Sequence, residues 1–300
     1  MNSFRFRCVD LLAITCVMIL APPTSAADQL QDYEPFDASN FDHSTTIDNP
    51  WYPLKPGTRY VWDGITEDEE GDIESRSVVF VVTDLTLDIG GVKSVVCWDK
   101  DIVDGEMEET EILFAAQDND GAVWLMGEYP EEWDGKDFVD APCWIHGIDH
   151  ARAGILMLAD PNRESPSYSQ GWAPTLAFTD RGVVYEVGQK TSVPFGRFDD
   201  VLVIDESDKA EPDAHQLKYF ARGVGCVRVG WRGKVSDHEE LQLVKMEQIS
   251  SEELAKAREE ALKLEDRAFT ISKNVFGRLK PAGRHDLEPG KDLEPGKNVH

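Results

Sequence analysis

The sequence predicts a mainly β fold, an antiparallel meander curled into a barrel or half-barrel or packed as a two-layer sandwich, with one C-terminal α-helix. Three observations lead there. Between Tyr60 and Asp140 an acid is repeatedly followed by glycine, at Asp63-Gly64, Glu70-Gly71, Asp104-Gly105, Asp120-Gly121 and Asp134-Gly135, with Gly90-Gly91 in the longest gap. Asp-Gly supplies the positive φ angles of tight hairpin turns, and most of the intervals carry Val, Ile, Phe and Trp suited to strands. The run Val78-Val79-Phe80-Val81-Val82 is apolar on both faces, which a one-layer meander cannot bury, so the sheet must curl or gain a second layer. Near the C-terminus the period changes: Leu254, Ala257, Ala261, Leu264 and Ala268 recur at helical spacing behind a Ser250/Glu253 capping box.

In chain order, Arg5 and Arg7 precede the uncharged apolar run Leu11 to Ala21, and Thr24-Ser25-Ala26-Ala27 offers the small residues that a signal peptidase reads. The run is shorter than the roughly 20 residues of a membrane-spanning helix. Residues 1–26 therefore read as a cleaved signal peptide, and the chain as exported, periplasmic or extracellular, with no transmembrane segment in its mature part. Cys16 follows Thr15, where a lipobox wants a smaller residue. Residues 27–49 read as a polar N-terminal arm, and Trp51 to Gly57 as a Pro/Gly-stiffened entry covering an open edge or end of the sheet.

Residues 50–249 read as a β-rich domain. Its ladder breaks at 141–180, a stretch rich in Pro, Gly, Ser and Trp and too long for an ordinary connection, which suits an ordered lid or flank. Residues 250–269 form the helix. The repeated hexamer Asp286 to Lys291 and Asp292 to Lys297 falls in 281–300, a tail that cannot bury a core.

The formal net charge is −27, with no basic stripe, which excludes nucleic acid as a partner and disfavours anionic membrane surfaces. Beyond the signal segment three cysteines remain, Cys97, Cys143 and Cys226, with three pairings open. Cys97 and Cys226 lie in apolar strand-like runs and read as small buried hydrophobes.

Catalytic constellations are few. Ser167 to Gly171 lacks the leading Gly of a nucleophile elbow, and His238-Glu239-Glu240-Leu241-Gln242 has Gln where a zinc protease needs its second His. Ala116 to Gly121 resembles the front of a calcium loop but lacks its first ligand and its bidentate acid, so a hairpin turn accounts for it better. Asp99, Asp101 and Asp104 before Gly105 could likewise chelate calcium, and again a hairpin suffices. The candidate metal ligands are His146, Asp149 and His150, with a distant Asp160 or Glu164. They share a face only if that segment is helical, and Gly147 argues against a helix. Trp62, Trp98, Trp124 and Trp144 are candidates to line a ligand concavity.

Thr191 to Leu202, with Val193-Pro194-x-Gly196-x-Phe198-x-x-Val201, followed by Tyr219-Phe220-Ala221-Arg222-Gly223-Val224-Gly225, resembles a signature of exported bacterial β-proteins of uncharacterised function. In some groups of these proteins the fold is similar to the periplasmic lipoprotein-carrier half-barrel. Ile47 to Thr58 resembles the entry of one such secreted family, and Gln117 to Trp124 fits its hairpin, so the resemblance spans residues 47–231. It implies a fold and no reaction. The segment matching Trp144 to Ile155 usually lacks this His pair, so the resemblance does not carry the metal reading.

These readings point first to a non-catalytic exported protein that binds an apolar or amphipathic ligand, lipid or small molecule, or serves a structural role in the envelope. The alternatives are a metal-dependent hydrolase using His146, Asp149 and His150, and a calcium-stabilised surface protein. The sequence requires no cofactor; a divalent metal is compatible with it.

Overall fold

The computed structural model describes residues 32–67, 71–209, 213–234 and 238–284. The expected signal peptide, the start of the arm, Glu70 and most of the expected tail lie outside the described residues. The chain is mainly antiparallel β, one open curled sheet with a main C-terminal helix.

The first meander comprises β1 (Thr58–Glu67), β2 (Ile73–Ile89), β3 (Val92–Val103), β4 (Glu106–Gln117), β5 (Val123–Asp134) and β6 (Asp137–Asp140). Four glycine-bearing turns connect it as the sequence predicts. Gly90 and Gly91 have φ of 60° and 86°, Asp104 and Gly105 have 47° and 85°, and Gly121 and Gly135 are also positive. Asp63-Gly64 differs. It lies inside β1, where a Cβ on Gly64 would sit 1.8 Å from the Glu240 carbonyl oxygen, so that glycine permits a close neighbouring strand and makes no turn.

The interrupting stretch is ordered: β7 (Trp144–Ile145), β8 (Arg152–Met157), β9 (Tyr168–Ser169) and β10 (Gly171–Trp172). The second meander follows, with β11 (Arg181–Val193), β12 (Gly196–Ser207), β13 (Ala214–Ala221), β14 (Gly225–Gly233) and β15 (His238–Gln248). Then come α1 (Ser251–Ile271), α2 (Lys273–Phe276) and β16 (Gly283–Arg284), which pairs with β2.

The strand order is β10-β8-β5-β4-β3-β2-β1-β15-β14-β13-β12-β11-β9. Its two end strands are separated in sequence only by Gln170, so the ends of the sheet meet at the segment Tyr168–Trp172. Tyr168 and Ser169 pair with β11, and Gly171 and Trp172 pair with β8. The junction is tight: a Cβ on Gly154 of β8 would lie 2.1 Å from the Gln170 carbonyl carbon.

The curl gives the sheet two faces. On the concave face Phe80, Val82, Cys97, Leu202, Phe220 and Leu243 form one apolar cluster, which joins strands of both meanders. Ile47, Trp51 and Leu54 from the entry segment are buried in the same cluster and close one end of the curl. Asn49 fastens that plug: its Nδ2 donates to the carbonyls of Gly121 at 2.8 Å and Leu158 at 3.1 Å, while its Oδ1 accepts from Trp51 N–H at 2.8 Å.

On the convex face Leu87, Val96, Phe114 and Met126 pack against Ala261, Leu264 and Ala268 of α1 and Phe276 of α2. Ser250 and Glu253 form the reciprocal capping box, and Arg258 holds Asp84 through two bonds of 2.6 Å. Val81 meets Ile249 and Ala257 on the convex side while Phe80 and Val82 face inward, which explains the uniformly apolar run in β2. A register shift between Val82 and Thr86 then turns the rest of β2 toward the helix, with Thr83 Oγ1 donating to Val96 O at 2.6 Å and accepting from Leu85 N–H.

If Tyr168–Trp172 closes the curl, Gly154→Val should lower the unfolding free energy by about 2 kcal/mol or more, measured by urea denaturation. Gly283→Val, with nothing within 4 Å of its Cβ, should change it by no more than about 0.5 kcal/mol.

Candidate functional site

Alternation along the strands divides the concave face into two halves. In each strand every second residue points inward, so Phe80 of β2 stands opposite Asp99 of β3, and Asp99 stands opposite Glu111 of β4. Toward the plug the inward residues are apolar. Away from it they are Asp99, Asp101, Glu109, Glu111 and Glu128 on one wall, with Glu206, Lys218 and Glu239 on the other.

The apolar half contains a cavity of about 50 Å³ that opens to solvent, lined by Tyr52, Leu54, Tyr60, Trp62, Phe80 and Cys226 among others. Tyr60 and Trp62 stack with centroids 5.5 Å apart, and Phe80 meets both rings edge-on. The Trp62 indole N–H donates to the Cys226 carbonyl at 3.1 Å, which fixes the ring at the wall.

Water reaches the acidic half of the concave face. Lys218 lies deep in the molecule, yet its side chain keeps 34% of its exposure. Glu111 and Glu128 are likewise enclosed and only half-buried. The ligand oxygens of Asp99, Glu109 and Glu111 lie within 4.8 Å of one another, the one such group of three among the described residues.

Charge compensation is uneven. Arg76 pairs with Asp101 and, at 3.0 Å, with Glu239, and Lys218 pairs with Glu206 at 2.6 Å. Among the described residues no Lys or Arg is within ion-pair distance of Asp99, Glu109, Glu111 or Glu128. Burial and mutual repulsion therefore push Asp99, Glu109 and Glu111 up, Glu109 to about 8, while burial alone raises Glu128 against the hydrogen bonds from Trp144 and Glu111 and the charge of Lys218. Glu111 donates a hydrogen bond to Glu128, which also accepts from the Trp144 indole at 2.7 Å. Asp101 rises less, to about 6, because Arg76 opposes its burial.

The four candidate tryptophans do not share one site. Trp62 lines the cavity and Trp144 borders the acidic half. Trp98 and Trp124 belong to the convex side. Trp98 packs near α1 and donates to Thr110 Oγ1 at 3.2 Å, and Trp124 packs on Phe36 and Phe41 and donates to Asp118 Oδ2 at 2.9 Å.

The candidate metal loop is not helical: Gly147, Asp149 and His150 have φ of 82°, 47° and 70°. His146 Nδ1 accepts from Ala153 N–H at 2.9 Å, its ring lies 4.1 Å from that of Phe36, and burial and then Arg152 lower its pKa to about 4. Asp149 pairs with Arg278 at 3.1 Å and His150 is exposed. Asp118 spends its carboxylate on the turn, accepting from Asp120 N–H and Ala122 N–H, and Asp104 accepts from Ser75 N–H and hydroxyl. Cys97, Cys143 and Cys226 are all free thiols.

Sequence reasoning named Asp99 and Asp101 but missed Glu109, Glu111 and Glu128. The usable signal was an Asp-x-Asp and a Glu-x-Glu flanking the Asp104-Gly105 turn. A bulge hid it. Near the turn Val103 pairs with Glu106, and continuing that register would place Asp99 opposite Thr110; the shift between Asp101 and Ile102 places it opposite Glu111 instead. One residue of slip thus carries Glu109 and Glu111 to the concave face.

No family model and no curated protein matches the chain. Two solved structures resemble it. One is from Bacteroides fragilis NCTC 9343, inferred to be an exported protein and described as having a YmcC-like fold; it is 12% identical, covers 66% of this chain and 98% of its own, and has a TM-score of 0.38. The other, inferred to be a lipoprotein of Parabacteroides distasonis, is 13% identical, covers 68% and 100%, and has a TM-score of 0.35. Among the described residues no helix is long and apolar enough to cross a membrane.

The raised carboxyls have a consequence for stability. Glu109 is faced by Asp101, Glu111, Glu128, Glu132 and Arg76, and the folded state holds its proton to about pH 8 where an ordinary Glu releases it near 4.5. The unfolded state loses that proton first, so stability present below pH 4.5 should decline as pH rises toward 8. Thermal melting from pH 4.5 to 8.5 should show that decline, and Glu109→Gln should flatten it and raise Tm at pH 8.5.

Proposed function

We propose that this is an exported, non-catalytic protein that holds an apolar or amphipathic small molecule in the concavity of its curled sheet. The observation that carries the reading is the aromatic cavity, open at its mouth and walled by Tyr52, Tyr60, Trp62 and Phe80. Ligand sites are concave, mostly apolar and edged by a few polar groups, and this cavity adjoins such groups in the acidic half. The rings are braced by each other and by the Trp62 hydrogen bond, so the site is preformed and little ordering is needed on binding. Export is supported by the sequence of residues 1–26, whose charged start, apolar run and small-residue site suit secretion.

A neutral apolar fluorophore, N-phenyl-1-naphthylamine, should bind the purified protein and quench part of its tryptophan emission. Trp62→Ala should weaken that binding by about tenfold, whereas Trp98→Phe, on the convex face, should leave it unchanged. Equal affinity in wild type and Trp62→Ala would place the ligand elsewhere and overturn the reading.

A further inference from the structure

We propose that the cavity and the acidic half form one continuous site for a cationic amphiphile. The apolar body lies against Tyr52, Tyr60, Trp62 and Phe80, and an ammonium or amine group lies among the carboxylates of Asp99, Glu109, Glu111 and Glu128. The inference rests on the ligand-binding reading above and names the chemical class of the ligand.

Continuity comes from the register. Phe80, a wall of the cavity, is the direct cross-strand neighbour of Asp99, which neighbours Glu111 in turn. Across the curl Cys226, another wall residue, is close enough to Lys218, Glu206 and Glu239 for their charges to act on its thiol, and Tyr52 feels Glu206. A molecule seated on the aromatic wall therefore reaches the carboxylates without leaving the concavity.

The acidic half is also short of partners beyond its charge. Glu111 Oε1, Asp180 Oδ1 and the Tyr168 hydroxyl are buried with no hydrogen-bond partner among the described residues. Tyr168, 2% exposed, points inward from β9 and lies near Glu206, and Asp180 lies near Glu128, Glu206 and Lys218. Buried polar atoms are ordinarily satisfied, so three such atoms beside the acidic residues call for a polar ligand group there. An ammonium supplies what is missing: N–H donors, and a positive charge at ion-pair distance from carboxyls whose nearest cations, Arg76 and Lys218, are paired elsewhere. The neighbouring rings favour an organic cation further, since aromatic faces attract ammonium groups that have lost part of their hydration.

The test compares three amphiphiles with the same twelve-carbon chain, dodecylamine, dodecyl maltoside and dodecyl sulfate, by displacement of N-phenyl-1-naphthylamine from the full chain at pH 8. We expect dodecylamine to bind about tenfold or more tightly than the other two, and the double variant Glu109→Gln/Glu111→Gln to abolish that preference while keeping its affinity for dodecyl maltoside. Both substitutions keep the side-chain shape and remove groups that can ionise against an ammonium, and the retained maltoside binding reports a folded cavity. Equal binding of all three, or preference for the sulfate, overturns the cationic inference and leaves the cavity reading standing. Binding of none overturns both. Saturable calcium binding without amphiphile, lost in the same double variant and blocking dodecylamine, overturns the inference in favour of a simple metal site.

Discussion

The structure depends on the closure of the curl at Tyr168–Trp172. Without it the sheet would have two exposed end strands and a concave face open along its length, and a long antiparallel sheet with unpaired edges is a template for association. With it, Tyr168 and Ser169 pair with Gly182 and Arg181 of β11, Gly171 and Trp172 pair with Ala153 and Arg152 of β8, and Gly154 gives the backbone room to pass. The concave face becomes the wall of an internal space. The entry segment then needs to close only one end, which Ile47, Trp51 and Leu54 do under the control of Asn49.

Within that enclosure the chemistry is divided along the strand direction, and the division costs stability. The plugged half is packed or aromatic. The other half gathers carboxyls beyond what Arg76 and Lys218 neutralise, in a place where burial raises the energy of every one that ionises. A core selected for stability alone would have apolar residues at Asp99, Glu109, Glu111 and Glu128. An excess of acidic groups beside an aromatic wall suits the proposed recognition of a charged, partly apolar molecule. The convex face carries the opposite assignment: α1 and α2 give the sheet its second layer there, held by the Arg258–Asp84 and Arg267–Glu131 pairs.

Much of the fold was legible in the sequence because its signals are local. Gly90-Gly91, Asp104-Gly105 and Asp134-Gly135 turn the chain because positive φ is demanded there, and Ser250 with Glu253 starts the helix because cap chemistry acts within one turn. The apolar run of β2 correctly required cover on both faces. Asp63-Gly64 shows the limit of the rule, since a glycine that admits a neighbouring strand reads the same as one that bends the chain. The site was less legible because it depends on register. Trp62 and Trp144 lie at the interior and Trp98 and Trp124 do not, a difference set by strand parity and by bulges that no local pattern announces. The His-bearing loop drew attention by residue type; in its non-helical backbone His146 engages Ala153, Asp149 engages Arg278 and His150 is exposed.

The central claim is that the interior is one preformed chamber, aromatic at its plugged end and acidic at the other. A crystal structure of the full chain grown with dodecylamine tests it most directly. The account predicts an alkyl chain lying along Tyr60, Trp62 and Phe80 with its nitrogen within hydrogen-bond distance of at least two carboxylates among Asp99, Glu109, Glu111 and Glu128. An amphiphile bound on the convex face, or an interior in which the two walls have collapsed onto each other, would contradict it.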